Sequence, residues 1–133
     1  MKILLLATEE PKVHALEQRH LEQIRAVDQS IELYVPLAAN EAEVQAHLKD
    51  VEVLAGFPKD LVFIPLAQMP RLKWIHSFSA GMERMLTREV RASDVLLSNS
   101  SGVHAIPIAE HVLGFILMFA KKLFQKQFEF CHR

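Results

Sequence analysis

Short apolar runs alternate with longer stretches of helical period along the chain. Continuous apolar runs of this length are typical of strands that are buried on both faces of a parallel sheet. The alternation predicts an α/β domain, and right-handed crossovers favour a flavodoxin-like sheet of five parallel strands in the order 2-1-3-4-5. The five runs are KILLLA from Lys2, IELYVP from Ile31, VEVLAG at 51–56, LKWIHSF at 72–78 and VLLS at 95–98.

The helices between these runs carry start signals and apolar stripes. The first strand is expected to end at Thr8, and apolar residues at near-helical spacing then continue to Val27. Asn40 precedes the second helix and has Glu43 three residues further on, which is the spacing of a capping box. The pattern therefore predicts a helix that begins after Asn40 and holds Val44.

The last helix is apolar on more than one face. We expect it to begin at Pro107 and to run past Leu123, with one face docked on the sheet. The remaining apolar surface needs a second cover, which predicts a homodimer through a 107–124 helix or contact with another domain. We expect residues 1–105 to form the substrate domain and 106–133 to form this interface helix, within one compact unit. The apolar residues are Ile108, Val112, Leu113, Phe115, Ile116, Leu117, Met118, Phe119 and Leu123.

Composition narrows the class of protein. The chain has 133 residues, half of them hydrophobic, which is enough for one domain with a real core. Its 15 basic and 16 acidic residues form no basic stripe, so nucleic acid is not an expected partner. The longest apolar run, 112–120, is too short for a bilayer. Cys131 is the only cysteine and no signal-peptide pattern opens the chain, which favours the cytoplasm.

Three of the four glycines lie in loops at the predicted carboxyl ends of strands. They are Gly56, Gly81 and Gly102, in the sequences GFP, SAG and NSSG. In parallel sheets ligands gather at this edge, and glycine lets the backbone approach a ligand closely or present free amides to an anion. Ordinary turn formation explains the same glycines equally well, so both interpretations stay open.

Three segments resemble the N-terminal, substrate-side domain of D-isomer-specific 2-hydroxyacid dehydrogenases. They are LKWIHSFSAGMERM, VLLSNSSGVHA and IAEHVLGFIL. The resemblance covers Val51 to Leu123 well and the first fifty residues only by pattern. It implies a flavodoxin-like domain whose last helix crosses to a Rossmann domain that binds NAD or NADP, and a substrate that is a small 2-hydroxy or 2-oxo acid.

The resemblance also implies substrate-binding residues. Loop amides that hold the substrate carboxylate in the family match Ala80 and Gly81, and the loop after the third strand matches Gly56 and Phe57. Many members carry an asparagine six residues before the helix glutamate, where this chain has His104. Its imidazole could donate to a carboxylate or only cap the turn. The family usually has aspartate where this chain has Glu83, and we interpret Glu83 as structural.

The chemistry of hydride transfer is missing from these residues. A dinucleotide fingerprint needs three glycines within six residues after a strand, and the four glycines here are too far apart. The family's catalytic arginine, histidine and carboxylate follow that fingerprint, so no catalytic residue is assigned and no tight cofactor binding is expected. His104 and His111 match no zinc motif, so no metal site is expected either.

Three hypotheses follow. In the first, the chain is the substrate domain of an NAD(P)-dependent D-2-hydroxyacid dehydrogenase without its cofactor domain, and it is inactive alone. In the second, it is a stand-alone interaction module that kept the fold and dimerises through its last helix. In the third, it binds small anions through its glycine loops.

Overall fold

The computed structural model describes residues 1–6, 16–36, 40–61 and 64–123. Strands and helices alternate within them, as the hydrophobic pattern predicts. The strands are β1 (Lys2–Leu5), β2 (Glu32–Tyr34), β3 (Val53–Gly56), β4 (Trp74–Ser77) and β5 (Leu96–Asn99). The α-helices are α1 (Gln18–Val27), α2 (Glu41–His47), α3 (Pro58–Leu61), α4 (Arg88–Arg91) and α5 (Ala105–Ala120), and two short 3₁₀ helices span Leu66–Gln68 and Glu83–Met85.

The five strands form one parallel sheet in the order β2-β1-β3-β4-β5. The predicted flavodoxin-like strand order is therefore confirmed. Gly56 of β3 lies opposite Ser77 of β4, and Ser77 lies opposite Asn99 of β5. Since parallel strands run in the same direction, the loops that follow these three residues leave the sheet at the same level and from the same edge.

Apolar side chains cover both faces of the sheet, which gives the three-layer architecture of an α/β domain. Leu4 and Leu54 are buried on one face together with Val44 of α2. The opposite face holds a second buried cluster, which packs against α1. Successive residues of a strand point to opposite faces of the sheet. Because both faces are buried, the strands need continuous apolar runs. The second cluster contains Ile3, Leu5, Val53 and Ala55, with Leu21 and Ile24 of α1 packed against it.

Asn40 caps α2 as predicted. Its side-chain oxygen accepts a hydrogen bond from the Glu43 backbone N–H at 3.4 Å. The second half of the capping box differs from the prediction, because the Glu43 carboxylate accepts from the Asn40 side-chain amide at 3.0 Å. The cap thus satisfies one backbone donor of the first turn. Thr8 and Cys131 lie outside the described residues.

Charged side chains are paired at the amino-terminal edge of the sheet. Glu52 accepts hydrogen bonds from Lys73 Nζ at 2.7 Å and from the Lys2 backbone N–H at 3.1 Å. The Lys73 side chain first, and then the Lys2 N–H, lower the pKa of the Glu52 carboxyl to about 2. Asp50 lies 3.4 Å from Lys2 Nζ and 3.8 Å from a guanidinium nitrogen of Arg71. This edge is therefore held by a network of compensated charges.

The chain divides into two compact units, Met1–Ser100 and Ser101–Arg133. The predicted division at 105/106 stays a prediction. In the second unit Gly102 has a φ of 89°, a left-handed conformation that favours glycine. Gly102 O accepts from Ala105 N–H where α5 begins.

The last helix has Pro107 in its first turn, as predicted, but it ends earlier than the sequence predicts. The helix α5 begins at Ala105, two residues before Pro107, whose missing N–H costs nothing within a first helical turn. It ends at Ala120 rather than past Leu123. Lys122 has a φ of 52° and its N–H bonds the carbonyl of Phe119, three residues back, so the α-helical hydrogen-bond pattern stops there.

Large apolar side chains of α5 are exposed, which agrees with a helix that is apolar on more than one face. Ile106 is 72 % exposed and Phe119 is 69 % exposed. The exposed set also includes Ile108, Val112, Leu113, Phe115, Ile116 and Leu117. No helix among the described residues is long and apolar enough to cross a membrane.

Candidate functional site

Three strands of the first unit, β3, β4 and β5, end side by side at the carboxyl edge of the sheet. Their last residues are Gly56, Ser77 and Asn99, which are register partners on neighbouring strands. The Phe78 N–H donates to the Gly56 carbonyl at 2.9 Å, so pairing of β3 and β4 continues to the first residue of the loop. The sheet thus fixes the starting points of all three loops.

Ser77 anchors the loop that follows β4. It is completely buried, and its hydroxyl accepts from Ser79 N–H at 3.2 Å and donates to Ser79 O at 3.3 Å. Its own carbonyl accepts from the Ser100 hydroxyl at 3.2 Å. A serine in a buried strand position is therefore explained by the turn that it stabilises, since a buried hydroxyl needs partners.

The two peptide groups after Ser79 have a defined orientation. Ser79 O accepts from Ser100 N–H at 3.3 Å, and Ala80 O accepts from the Asn99 side-chain amide at 2.5 Å. Both donors belong to β5 or to the residue just after it. The C=O and N–H of a trans peptide point in opposite directions, so the N–H groups of Ala80 and Gly81 point away from β5. We call these two N–H groups the amide pair.

The amide pair is open to a ligand. Within the described part of the chain, no acceptor bonds either N–H. β3 lies on the other side of β4 from β5, and the loop that follows β3 begins there. Two neighbouring N–H groups that converge on one side form a concavity suited to an anion such as a carboxylate.

A pocket of about 340 Å³ lies between the loops after β3 and β4. Phe57 and Gly81, which the resemblance implies as substrate-binding residues, both line it. The structure thus brings these two predicted residues together, with Gly56 and Ala80 as their chain neighbours. The complete lining is Phe57, Pro58, Lys59, Ser79, Gly81, Glu83 and Arg84.

Gly56 has a packing role in addition to its predicted one. A Cβ at this position would lie 3.2 Å from Leu6 Cβ and 3.2 Å from Leu61 Cδ2, so only glycine fits without displacing neighbours. The ring of Phe57 meets Phe78 edge to face, with centroids 5.6 Å apart. Phe57 therefore forms an aromatic wall of the pocket, while the substrate contact of Gly56 stays a prediction.

His104 belongs to the second unit. It is exposed and immediately precedes α5, and its side chain makes no capping hydrogen bond to that helix. The capping role that the sequence left open is thus not observed. Its role towards a substrate stays a prediction.

Three residues of the site were missed by sequence reasoning. Asn99 orients the Ala80 carbonyl, and its signal was an asparagine at the end of a strand. Lys59 and Arg84 line the pocket. The sequence feature that could have identified them is a basic residue shortly after each glycine, in GFPK and SAGMER. These residues could be recognised only once the loops were seen side by side in the structure, because the sequence pattern does not show which loops are neighbours in space.

Two other polar groups lie in the first unit outside this pocket. Ser98 Oγ accepts from Trp74 Nε1 at 2.8 Å and bonds His76 Nδ1 at 2.8 Å, and burial lowers the pKa of His76. Asp60 Oδ2 is buried with no hydrogen-bond partner among the described residues, and burial raises the pKa of this carboxyl. In the described ranges, no three His, Cys, Asp or Glu side chains are grouped as metal ligands would be.

The fold is that of a flavodoxin-like α/β domain, with a pocket at the carboxyl edge of its sheet. The family described as D-isomer specific 2-hydroxyacid dehydrogenase, catalytic domain, matches residues 3–128. The chain belongs to this family, and the resemblance inferred from three segments is confirmed over nearly its whole length. A search of curated proteins finds no match.

Proposed function

We propose that the first unit binds the carboxylate of a 2-hydroxy or 2-oxo acid, as the substrate-binding domain of an NAD(P)-dependent D-2-hydroxyacid dehydrogenase. The amide pair is the observation that carries this proposal. Its two N–H groups lack acceptors within the described residues, and Gly81 lines the same pocket as Phe57. Membership of the family supports the same class of substrate.

NAD or NADP would supply the hydride in such an enzyme, and the residues present do not fit that cofactor. Dinucleotide sites need a strand followed closely by several glycines, so that backbone approaches the pyrophosphate. Here β3 is followed by Gly56-Phe57-Pro58, and β4 by a loop with Gly81 alone. We therefore propose that these 133 residues bind the acid without reducing it, and assign no catalytic residue.

The expected binding is weak, so the method that measures it has to detect weak complexes. Hydrogen bonds to a charged group contribute about 1.5–3 kcal/mol each, so two of them correspond to a dissociation constant between about 6 mM and about 40 µM. Titration with D-lactate, followed through the backbone ¹⁵N–¹H resonances, can measure such binding. We expect the amides of Ala80 and Gly81 to shift most, because they would donate to the carboxylate.

A neutral analogue and a matched pair of variants control this titration. Lactamide lacks the negative charge, so it should leave both resonances in place. Asn99→Ala releases the Ala80 carbonyl and should weaken lactate binding, whereas Asn40→Ala removes only the cap of α2 and should not. Equal shifts with lactate and lactamide, or binding that Asn99→Ala leaves unchanged, would contradict the proposal.

The lack of turnover is tested separately. We expect the chain to oxidise no NADH in the presence of glyoxylate or hydroxypyruvate. Robust turnover would contradict the proposal that these residues bind the acid without reducing it. A family member that contains a dinucleotide-binding site is the appropriate positive control for the assay.

A second candidate function is a module that dimerises through α5, and the exposed apolar side chains of that helix favour it. Burial of such side chains against a second copy stabilises each by about 1.5–3 kcal/mol. Light scattering after size exclusion should then give twice the mass of the 15.2 kDa chain. Replacing Phe115 and Phe119 by serine should produce monomer or aggregate, and a native protein that is a clean monomer would contradict the dimer.

A further inference from the structure

Two cationic side chains line the pocket beside the amide pair. Lys59 enters from α3 and Arg84 from the 3₁₀ helix Glu83–Met85, so the two cations approach from opposite loops. Within the described residues neither lies within 4.0 Å of an acidic group. Other lysine and arginine side chains of the first unit, such as Lys2, Lys73 and Arg71, do form such pairs.

The nearest acidic groups do not neutralise the two cations. Asp60 follows Lys59 in α3, but it is not among the residues that line the pocket. Glu83 also lines the pocket, with one carboxylate oxygen 2.7 Å from where a Cβ of Gly81 would lie. Lys59 and Arg84 carry two positive charges and Glu83 carries one negative charge, so the pocket lining keeps a net positive charge. The amide pair adds two neutral hydrogen-bond donors.

We propose that Lys59 and Arg84 bind a second anionic group on the substrate, so that the preferred ligand is a 2-hydroxy or 2-oxo acid with a further carboxylate or phosphate. This inference rests on the proposed function, since the amide pair must hold the first carboxylate. A pocket of about 340 Å³ has room for such a small dianion. Arginine and lysine are the side chains that recognise carboxylate and phosphate oxygens.

Two matched pairs of ligands test the second anionic group directly. D-malate is D-lactate with an added carboxylate, and 3-phospho-D-glycerate is D-glycerate with an added phosphate. Each titration is followed through the Ala80 and Gly81 resonances at low ionic strength. We expect at least one dianion to bind about fivefold or more tightly than its monoanionic counterpart, and the pair with the larger ratio identifies the second group.

Variants then assign the preference to the two side chains. Lys59→Gln and Arg84→Gln should each reduce the ratio of dianion to monoanion affinity, and the double variant should bring it to about one. Both side chains are exposed, so the fold should persist. Arg88→Gln removes the same charge from α4, outside this pocket, and should leave the ratio unchanged, which controls for the net charge of the protein.

The outcomes separate this inference from the function on which it rests. Equal affinities within both pairs, with both amides shifting, would overturn the second anionic subsite and leave carboxylate binding intact. No shift of Ala80 or Gly81 with any of the four acids would overturn the proposed function itself. A dianion preference that survives in the double variant would overturn the roles of Lys59 and Arg84.

Discussion

The two edges of the sheet use charge in opposite ways. At the amino-terminal edge the Glu52 carboxylate bonds Lys73 and the backbone of Lys2, and the Asp50 carboxylate lies close to Lys2 and Arg71. At the carboxyl edge Lys59 and Arg84 lack an ion-pair partner in the described ranges, and the amide pair lacks an acceptor. The first edge thus satisfies its polar groups internally, while the second leaves these groups without a partner among the described residues.

This difference separates groups that stabilise the fold from groups that we propose to bind a ligand. A charge that is already paired contributes to folding and offers little to a ligand, because binding would have to break its existing contacts. An unpaired charge in a pocket contributes little to folding and keeps its full attraction for a ligand. Substitutions at the two edges should therefore affect different measurements.

Ser77→Ala should have the largest effect on folding, because it removes the buried hydroxyl that bonds both the N–H and the carbonyl of Ser79. We expect a loss of about 1–3 kcal/mol in the free energy of unfolding, measured by urea denaturation. D-lactate binding should weaken as well, since the loop that carries the amide pair loses its anchor. Ser30→Ala, at an exposed position near the other edge, should change stability by less than about 0.5 kcal/mol. A Ser77 variant with the stability of the parent would refute the anchoring role.

Glu52→Gln should have a smaller effect on folding and none on binding. The folded state lowers the pKa of Glu52 from 4.5 to about 2, so its ionised form is favoured in the folded protein. The resulting stability is fully present above pH 4.5 and is lost as the pH falls from 4.5 to about 2. The stability difference between parent and variant should therefore be constant near neutral pH and vanish near pH 2. A difference that grows on acidification would contradict this assignment.

Glu83→Gln should have the smallest effect on folding and should strengthen binding. Its carboxylate is exposed and lies beside Gly81, where it repels an incoming anion. Removing that charge should raise the affinity for D-lactate by about two- to fivefold, with less than about 0.5 kcal/mol of change in stability. Glu89→Gln, an equivalent change on α4 outside the pocket, is the control. Weaker lactate binding in the Glu83 variant would instead support the structural role that the sequence predicts for this residue.

The strand order and the helix cap were predictable because each depends on short-range patterns. Apolar runs define buried strands, and the handedness of crossovers restricts their order, so β1 to β5 were placed correctly. Asn40 was identified from its position before a helical pattern. The end of α5 was not, because Lys122 adopts a left-handed conformation that its residue type does not announce.

The site was predictable only in part. The loops containing Phe57 and Gly81 could be identified because both follow strands that end at one edge. The direction of the amide pair depends on hydrogen bonds from Asn99 and Ser100, nineteen residues or more along the chain, and no local pattern contains that information. The same holds for the proximity of Lys59 and Arg84 in one pocket.

The orientation of the amide pair has a consequence for the order in which parts of the domain form during synthesis. A nascent chain that has emerged through Phe78 contains β1 to β4 but neither Asn99 nor Ser100, the donors that hold the carbonyls of the loop. Domains fold as the chain leaves the ribosome, amino-terminal parts first. The carboxyl edge is therefore completed by the last strand of the first unit, and a chain stalled before Asn99 could form most of the sheet without the hydrogen bonds that orient the amide pair.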